Sequence, residues 1–275
     1  MSYSMKKVTF IVRTCGRPQV LRQSIQSIKE QTYPNIEVVV VEDGRNISQQ
    51  MLQEEYYDMN IKYFCTGERL GRSVVGNIAL RMAEGDYFNF LDDDDLLYPK
   101  HTELLIKHLE DSGKKAAYSV AHEAPSVYCK RRNKFITLCK YVLFRQPFNR
   151  LYFTMSNYMP IQTVMFHRSL YEEYGGFREN LNALEDWDLW VRYAAHEDFA
   201  YVNSITSLYR VPFRRFKRDK VLFKAYEEVS KIFEEYEFHY NFRQCNEEFN
   251  YILNEIRTPK WKKVIKNFLK KIYSQ

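Results

Sequence analysis

Along the first hundred residues, short apolar runs alternate with stretches in which apolar positions recur every three or four residues. Val8 to Val12 is β-branched and aromatic, and Val20, Leu21, Ser24, Ile25 and Ile28 then fall at helical spacing. Ile36 to Val41 is almost wholly apolar, as a strand buried on both faces of a parallel sheet must be. Ile61 to Cys65 predicts a third strand, Ser73 to Ala83 a helix, and Tyr87 to Leu91 a fourth strand. Strands alternating with helices at this length predict right-handed βαβ units and an α/β fold. Ligands of such sheets bind beyond the carboxyl ends of the strands. The segments to inspect are therefore Arg13 to Arg17, Glu42 to Gly44, Gly67 to Arg72 and Asp92 to Asp95.

From about Ala116 to Leu184 the pattern is less regular, with no glycine between Gly113 and Gly175. Helical spacing resumes near Glu185, where Trp187, Trp190, Val191 and Ala194 share a face, and Val202 to Val211 predicts one or two strands. Beyond Pro212 the pattern is helical to the end, with Pro259 as first-turn proline of a last helix. There is no internal repeat and no low-complexity linker.

Composition narrows the class. With 275 residues, 45% of them hydrophobic and 16% aromatic, the chain can bury a core without disulfide or metal staples, and intrinsic disorder is disfavoured. Cys15, Cys65, Cys129, Cys139 and Cys245 are odd in number and show no CxxC pairing, which fits buried thiols in a reducing compartment. No apolar run approaches the ~20 residues of a membrane span, and the apolar run after Lys7 is too short for a signal peptide. The expectation is a cytoplasmic protein, soluble or held peripherally at the inner face of the plasma membrane.

The net charge of +6 invites a nucleic-acid reading that its distribution disfavours. Eight basic and no acidic residues lie between Ala124 and Tyr171, and seven basic and no acidic residues between Arg257 and Gln275, leaving −9 on the rest. In Pro259 to Tyr273, Trp261, Val264, Ile265, Phe268, Leu269 and Ile272 follow helical spacing and lysines fill the other face. That is the pattern of a helix lying in an anionic membrane interface; a terminal helix docked on its own domain is the plainer reading. The middle patch interleaves Lys130, Arg131, Arg132, Lys134 and Lys140 with Tyr128, Phe135, Tyr141, Phe144 and Phe148. No recognised nucleic-acid motif accompanies it, and it reads either as a contact for a lipid diphosphate or membrane or as a solvated variable segment.

Two constellations carry chemistry. Asp92, Asp93, Asp94 and Asp95 follow a buried strand, and four adjacent carboxylates at a strand end repel one another unless a cation shares the site. Hard oxygen ligands in an open loop suit Mg²⁺ or Mn²⁺, although a solvated acidic turn has the same composition. Glu185 and Asp186 open a helix whose Trp187 and Trp190 face the core. They serve either the helix dipole or, partly desolvated, proton abstraction.

In order along the chain, Phe10-Ile11-Val12-Arg13-Thr14, SIQSIKEQTYP from Ser24, VVVVEDG ending at Gly44, FLDDDD ending at Asp95 and EDWDLW from Glu185 closely resemble family 2 glycosyltransferases. The resemblance covers about Lys6 to Val211, and NYMPIQTVMFHR from Asn157 resembles the family's segment ahead of the acceptor site. It implies the GT-A fold, a Rossmann-like nucleotide-binding mixed sheet flanked by helices. Residues 1–211 would form the transferase domain, with a donor half to about residue 115 and an acceptor half from 116, and residues 212–275 a helical C-terminal extension. The implied reaction is inverting transfer from a nucleotide-diphosphate sugar, UDP-sugar favoured, to a glycan or lipid-linked acceptor in cell-surface polysaccharide synthesis.

Carried over by position, Thr14 and Asp43 would hold base and ribose with Glu42 as helper. Arg17, Arg72, Asn77, Asp92 and Asp93 complete the donor set, Asp94 with Asp92 would ligate Mn²⁺ or Mg²⁺, and Asp186 would be the general base beside Glu185. The chain departs from the family in having Val75-Gly76-Asn77 where Ala-Arg-Asn is common, so that Arg72 replaces the missing arginine or Gly76 admits the ligand to the backbone. Arg13 stands where proline is frequent, and no histidine follows Tyr209-Arg210, leaving Arg210, Arg214 and Arg215 for diphosphate contacts. A sugar nucleotidyltransferase, and a non-catalytic protein binding nucleotide sugars or glycans on the same fold, are the alternatives.

Overall fold

Each apolar run of the first half forms a strand of one sheet and each periodic stretch a helix against it: β1 Val8–Thr14, α1 Pro18–Lys29, β2 Ile36–Glu42, α2 Gln49–Glu55, β3 Ile61–Cys65, α3 Arg72–Met82 and β4 Tyr87–Asp92. The second half supplies β5 Leu96–Leu97, α4 His101–Ser112, β6 Ala116–Cys129, β7 Lys134–Thr137, α5 Arg150–Met155, β8 Val164–His167, α6 Arg168–Tyr174, α7 Glu185–Ala194, β9 Phe199–Pro212 and α8 Phe216–Ile232. The computed structural model describes residues 5–129, 131, 133–181, 183–213, 216–233, 236 and 247–252. The helix expected over Pro259 to Tyr273 lies outside the described residues, as do Lys130, Arg132, Arg214 and Arg215.

The strands run in the order β3-β2-β1-β4-β8-β6-β9-β5, with β7 paired to β6 outside that path. The four strands at the β3 end are parallel to one another, whereas β8 is antiparallel to both β4 and β6, and β6 and β9 are parallel. The sheet is therefore mixed, as the GT-A resemblance implied. Alternation along β1 sends Val8, Phe10 and Val12 to the layer of α1, α2 and α4, and Ile11 to the layer of α3 and α7. Val38 to Val41 are at most 1% exposed because both faces are covered. Burying each such side chain stabilises the fold by about 1.5–3 kcal/mol.

The middle of the chain is more ordered than its pattern suggested. Ala116 to Cys129 is one 14-residue strand, paired from Ala116 to Ser126 with the 14-residue strand β9. It hides from periodicity because ten of its first eleven residues are buried whatever their polarity, including Ser119, Glu123 and Ser126. Irregular register between Ser119 and Ala121 lets Thr206 of β9 turn inward to Ser119 and to His101 of α4. His101 also meets Asn89 of β4, and burial lowers its pKa to about 3, so it stays neutral as a joint between α4 and the sheet. Beyond the sheet, α8 docks on α7, with Tyr226 stacked on Trp187 at 5.4 Å and Phe233 edge-on at 4.9 Å.

Candidate active site

The carboxyl ends of β1, β2 and β4 and the start of α3 enclose a cleft of about 320 Å³, lined by Arg13, Thr14, Cys15, Arg17, Asp43, Arg72, Val75, Asp92, Asp93 and Asp94. The parallel register brings them together, since Thr14 pairs with Glu42 across one side of β1 and Arg13 with Asp92 across the other. Gly71 precedes α3 at φ 93°, a backbone that favours glycine, and aims the helix start at this cleft. Asp43 accepts from the Leu70 and Gly71 amides at 2.7 and 3.2 Å and so ties the β2 loop to that start. Seven of the predicted site residues thus meet in one place.

The four aspartates diverge instead of forming one cluster. Asp92 takes a two-pronged bond from Arg13, Nε to Oδ1 at 2.8 Å and Nη2 to Oδ2 at 3.0 Å. Burial pushes the Asp92 pKa upward, but Arg13 and Arg72 outweigh it and hold the group below the usual carboxylate range. Asp93 is 1% exposed, accepts from Thr14 Oγ1 at 2.7 Å and pairs with Arg17; burial still lifts its pKa to about 6. Asp94 keeps 30% of its side chain exposed and lies 3.3 Å from Arg17. Asp95 turns into the protein, where it accepts from the Arg210 amide at 3.0 Å and burial raises its pKa well above the ordinary value.

Arg13 links this loop to the second constellation. Its Nη1 lies 2.9 Å from Glu185 Oε1, with both side chains almost wholly out of water, and Arg72 approaches the same oxygen at 3.6 Å. The Arg13 guanidinium also lies 5.4 Å from the Phe177 ring centroid, a cation–π contact in a dry setting. Glu185 and Asp186 do not line the cleft; they stand behind Arg13 and Arg72 at the start of α7. Leu184, which precedes them, adopts a left-handed conformation at φ 58°, costing on the order of 1 kcal/mol, and turns the chain into the helix. Asp186 is half-buried, accepts from the Trp187 amide at 2.8 Å, and carries a pKa raised to about 7 by burial and then by Glu185. The wholly buried Asp188, paired with Arg192 at 3.1 Å and bonded by Tyr236 at 2.8 Å, anchors the same helix.

Four expectations change. Glu42 is wholly buried and accepts from the amides of Gly16, Ile47 and Ser48 and the hydroxyls of Ser48 and Tyr63. It shapes the loops after β1 and β2 and has no face toward the cleft. Asn77 turns the other way, bonding the Phe177 amide and carbonyl and Glu179, and so pins the segment leading to α7. Gly76 does not admit a ligand: a Cβ there would stand 2.5 Å from Phe177 Cε2, so its bareness makes room for Phe177 beside Arg13. Arg210 spends its side chain on the Asp94 carbonyl at 2.6 Å and on Gln23, organising the acidic loop.

Arg13 was legible only as a family departure. Its signal is a cation at the end of a buried strand, which demands nearby carboxylates. Cys15 lines the cleft with its Sγ 3.1 Å from the Asp43 carbonyl, and no spacing pattern distinguishes it.

As a cation site the loop offers two carboxylates that keep part of their side chains exposed, Asp92 at 26% and Asp94 at 30%, and no group of three or more metal-binding side chains occurs among the described residues. That donor set fits Mg²⁺ or Mn²⁺, which take one or two carboxylates and complete their shell with substrate phosphates and water. Arg13 and Arg17 are the cations such a metal has to share them with.

A family profile described as Glycosyl transferase family 2 matches residues 9–175. An uncharacterized glycosyltransferase of Rickettsia typhi is 28% identical over 205 residues, which cover 68% of this chain and 58% of that protein. The chain thus spans little more than half the length of that relative. S. aureus TarS 1-349, solved in complex with UDP, superposes with a TM-score of 0.61 at 18% identity, over 81% of this chain and 65% of that one. The mannosyltransferase PcManGT from Pyrobaculum calidifontis, solved with GDP-Man and Mn²⁺, gives 0.61 at 21% identity, over 83% and 65%. The profile covers well over half of the chain, and the superpositions show the same fold: the chain is a member of glycosyl transferase family 2.

Proposed function

We propose that the protein transfers a sugar, with inversion, from a nucleotide-diphosphate sugar to a hydroxyl of a glycan or lipid-linked acceptor in cell-surface polysaccharide synthesis. The observation that carries this is Arg13, which joins the acidic donor loop at Asp92 to the acceptor-side carboxylate Glu185. A proton acceptor beside Glu185 and a phosphate-binding loop at Asp92 to Asp94 are then held in one rigid frame.

Thr14, Arg17, Asp43 and Arg72, with Asp92 and Asp93, hold the nucleotide diphosphate in the cleft, and a UDP-sugar is the favoured donor. Asp94 with Asp92 would hold Mn²⁺ or Mg²⁺, and the bound cation would supply positive charge against that developing on the leaving diphosphate. Asp186 is the general base. A pKa near 7 leaves its carboxylate both populated near neutral pH and basic enough to accept the proton of an attacking hydroxyl. Glu185, fixed by Arg13, stays in place beside it and keeps Asp186 basic by repulsion. One displacement from the face opposite the diphosphate gives inversion.

No helix among the described residues is long and apolar enough to cross a membrane. We assign peripheral contact with anionic membrane to residues 259–273, whose apolar and lysine faces alternate at helical spacing. A screen of nucleotide sugars with Mn²⁺ or Mg²⁺, read by thermal shift and by release of nucleoside diphosphate, tests the main reading. Failure of every nucleotide sugar to shift the melting temperature overturns it and favours a different ligand on the same fold.

A further inference from the structure

The basic middle segment takes on a definite shape in the fold. Strands β6 and β7 form a hairpin in which Val127 faces Ile136 and Tyr128 faces Phe135. The β6–β9 ladder ends at the Ser126–Pro212 pair, and Phe213 follows as the next residue, its amide 3.2 Å from the Ser126 carbonyl. Ile136, Val127 and Phe213 therefore form a row across three adjacent segments, and they are 41%, 46% and 59% exposed. Leu138, two residues past Ile136 on the same face, is 51% exposed, and Leu143 beyond it is 50% exposed.

The other face of the hairpin is not free. Phe135 lies under the Arg210 guanidinium at 5.2 Å and edge-on to Tyr128 at 5.2 Å. Arg210 in turn donates to the Asp94 carbonyl, so one side of the hairpin is fastened to the acidic loop while the apolar row faces out. Exposed Arg131 and Lys134 lie on the same hairpin, Lys134 two residues before Ile136, in a stretch of sequence with eight basic and no acidic residues.

We infer that the outer face of the β6–β7 hairpin, with Phe213, is a docking surface for an anionic lipid bilayer. An apolar row large enough to enter the headgroup boundary, with the cations Arg131 and Lys134 exposed on the hairpin that carries it, is complementary to a surface that is greasy beneath and negative above. A soluble polyanion satisfies the cations and offers nothing to Ile136, Val127 and Phe213. Because Arg210 joins the hairpin to the donor loop, docking places the cleft next to the headgroups, where a lipid-linked acceptor presents its hydroxyl. That last step rests on the transferase reading, whereas the docking does not.

Sedimentation of the full chain with vesicles tests it, comparing equal parts phosphatidylglycerol and phosphatidylcholine with phosphatidylcholine alone. Val127→Thr, Ile136→Thr and Phe213→Ser together keep β-branching in the strands and are expected to weaken partitioning onto the anionic vesicles about ten-fold or more. Arg131→Glu with Lys134→Glu is expected to weaken it at least about five-fold per side chain. Melting temperature and nucleotide-diphosphate binding should match the parent in both variants, which separates loss of docking from loss of fold or donor site. Equal partitioning of the triple variant and the parent overturns the inference. So does equal binding of the parent to the uncharged vesicles, or binding to soluble polyphosphate with none to vesicles.

Discussion

Arg13 and Glu185, 172 residues apart in the chain, meet as an ion pair of 2.9 Å with 6% and 3% of their side chains exposed. The same guanidinium grips both oxygens of Asp92, so one side chain joins the end of β1, the acidic loop and the start of α7. Removing Arg13 leaves a buried carboxylate without its principal cation, a loss of roughly 3–5 kcal/mol. Urea unfolding followed by tryptophan fluorescence should show that loss for Arg13→Ala, and a smaller one for Arg13→Lys, which keeps the charge without the fork. Glu185→Gln added to Arg13→Ala should recover part of it. Independent, additive effects of the two changes would show that the pair is not coupled.

Asp186 is expected to set the acid limb of the reaction. With a pKa near 7 it is increasingly protonated below neutrality, so kcat/KM should rise through about pH 7 as the base is released. Asp186→Asn should retain donor binding and lose transfer together with that limb. Transfer by the Asn variant at the parent rate would refute the base assignment.

Stability should run the other way with pH. In the unfolded chain Asp186 titrates near 3.8, and in the fold near 7, so between those values the native state holds a proton the unfolded state has released. Its contribution therefore favours the fold on the acid side and declines as pH rises through about 7, with a slope of at most about 1.4 kcal/mol per pH unit. Asp93, raised to about 6 by burial, adds to the same trend at lower pH. Melting temperatures of the parent and of Asp186→Asn, measured from mildly acidic to mildly alkaline buffer, should converge toward acid and diverge toward alkali, with the Asn variant the more stable there.

Asp94 and Arg17 should have opposite effects on metal. Asp94→Ala removes the more exposed of the two candidate ligands and should weaken Mn²⁺ binding in the presence of a nucleoside diphosphate by about ten-fold or more. Arg17→Ala removes a competing cation 3.3 Å from Asp94 and should strengthen binding of Mn²⁺ alone. Electron paramagnetic resonance of free Mn²⁺ distinguishes the two, and identical affinities in parent and both variants would remove Asp94 from the metal site.

Gly76→Ala should destabilise the fold by about 1–3 kcal/mol, because the new methyl meets the Phe177 ring. Phe177 also packs on Arg13, so the change should lower donor affinity as well. An unchanged melting temperature would mean that Phe177 moves aside freely.

The first four strands and the helices α1 and α3 were legible to within a residue or two, since burial on both faces writes itself as runs such as Val38 to Val41, whereas the seven-residue α2 was not read from the pattern. The site segments were legible for a related reason: the parallel topology puts strand ends together, so Thr14, Asp43 and the aspartates had one place to meet. Glu42 and Asn77 were misjudged because sequence position places a side chain near a cleft without giving its direction. Both turn away to satisfy backbone donors that would otherwise be buried unpaired.

The sequence by itself determined the α/β class, the loops at the carboxyl ends of the strands, their carboxylates and the confinement of positive charge to two segments. These follow from local periodicity and composition, which the chain carries whatever its neighbours are. Tertiary structure alone decided that the aspartates face different partners, that Arg13 spans two motifs, and that the basic middle segment begins as a hairpin with one greasy face outward. Each depends on contacts between distant residues in a low-dielectric interior, where the cost of an unpaired charge selects the partner and the register of a ladder selects the face.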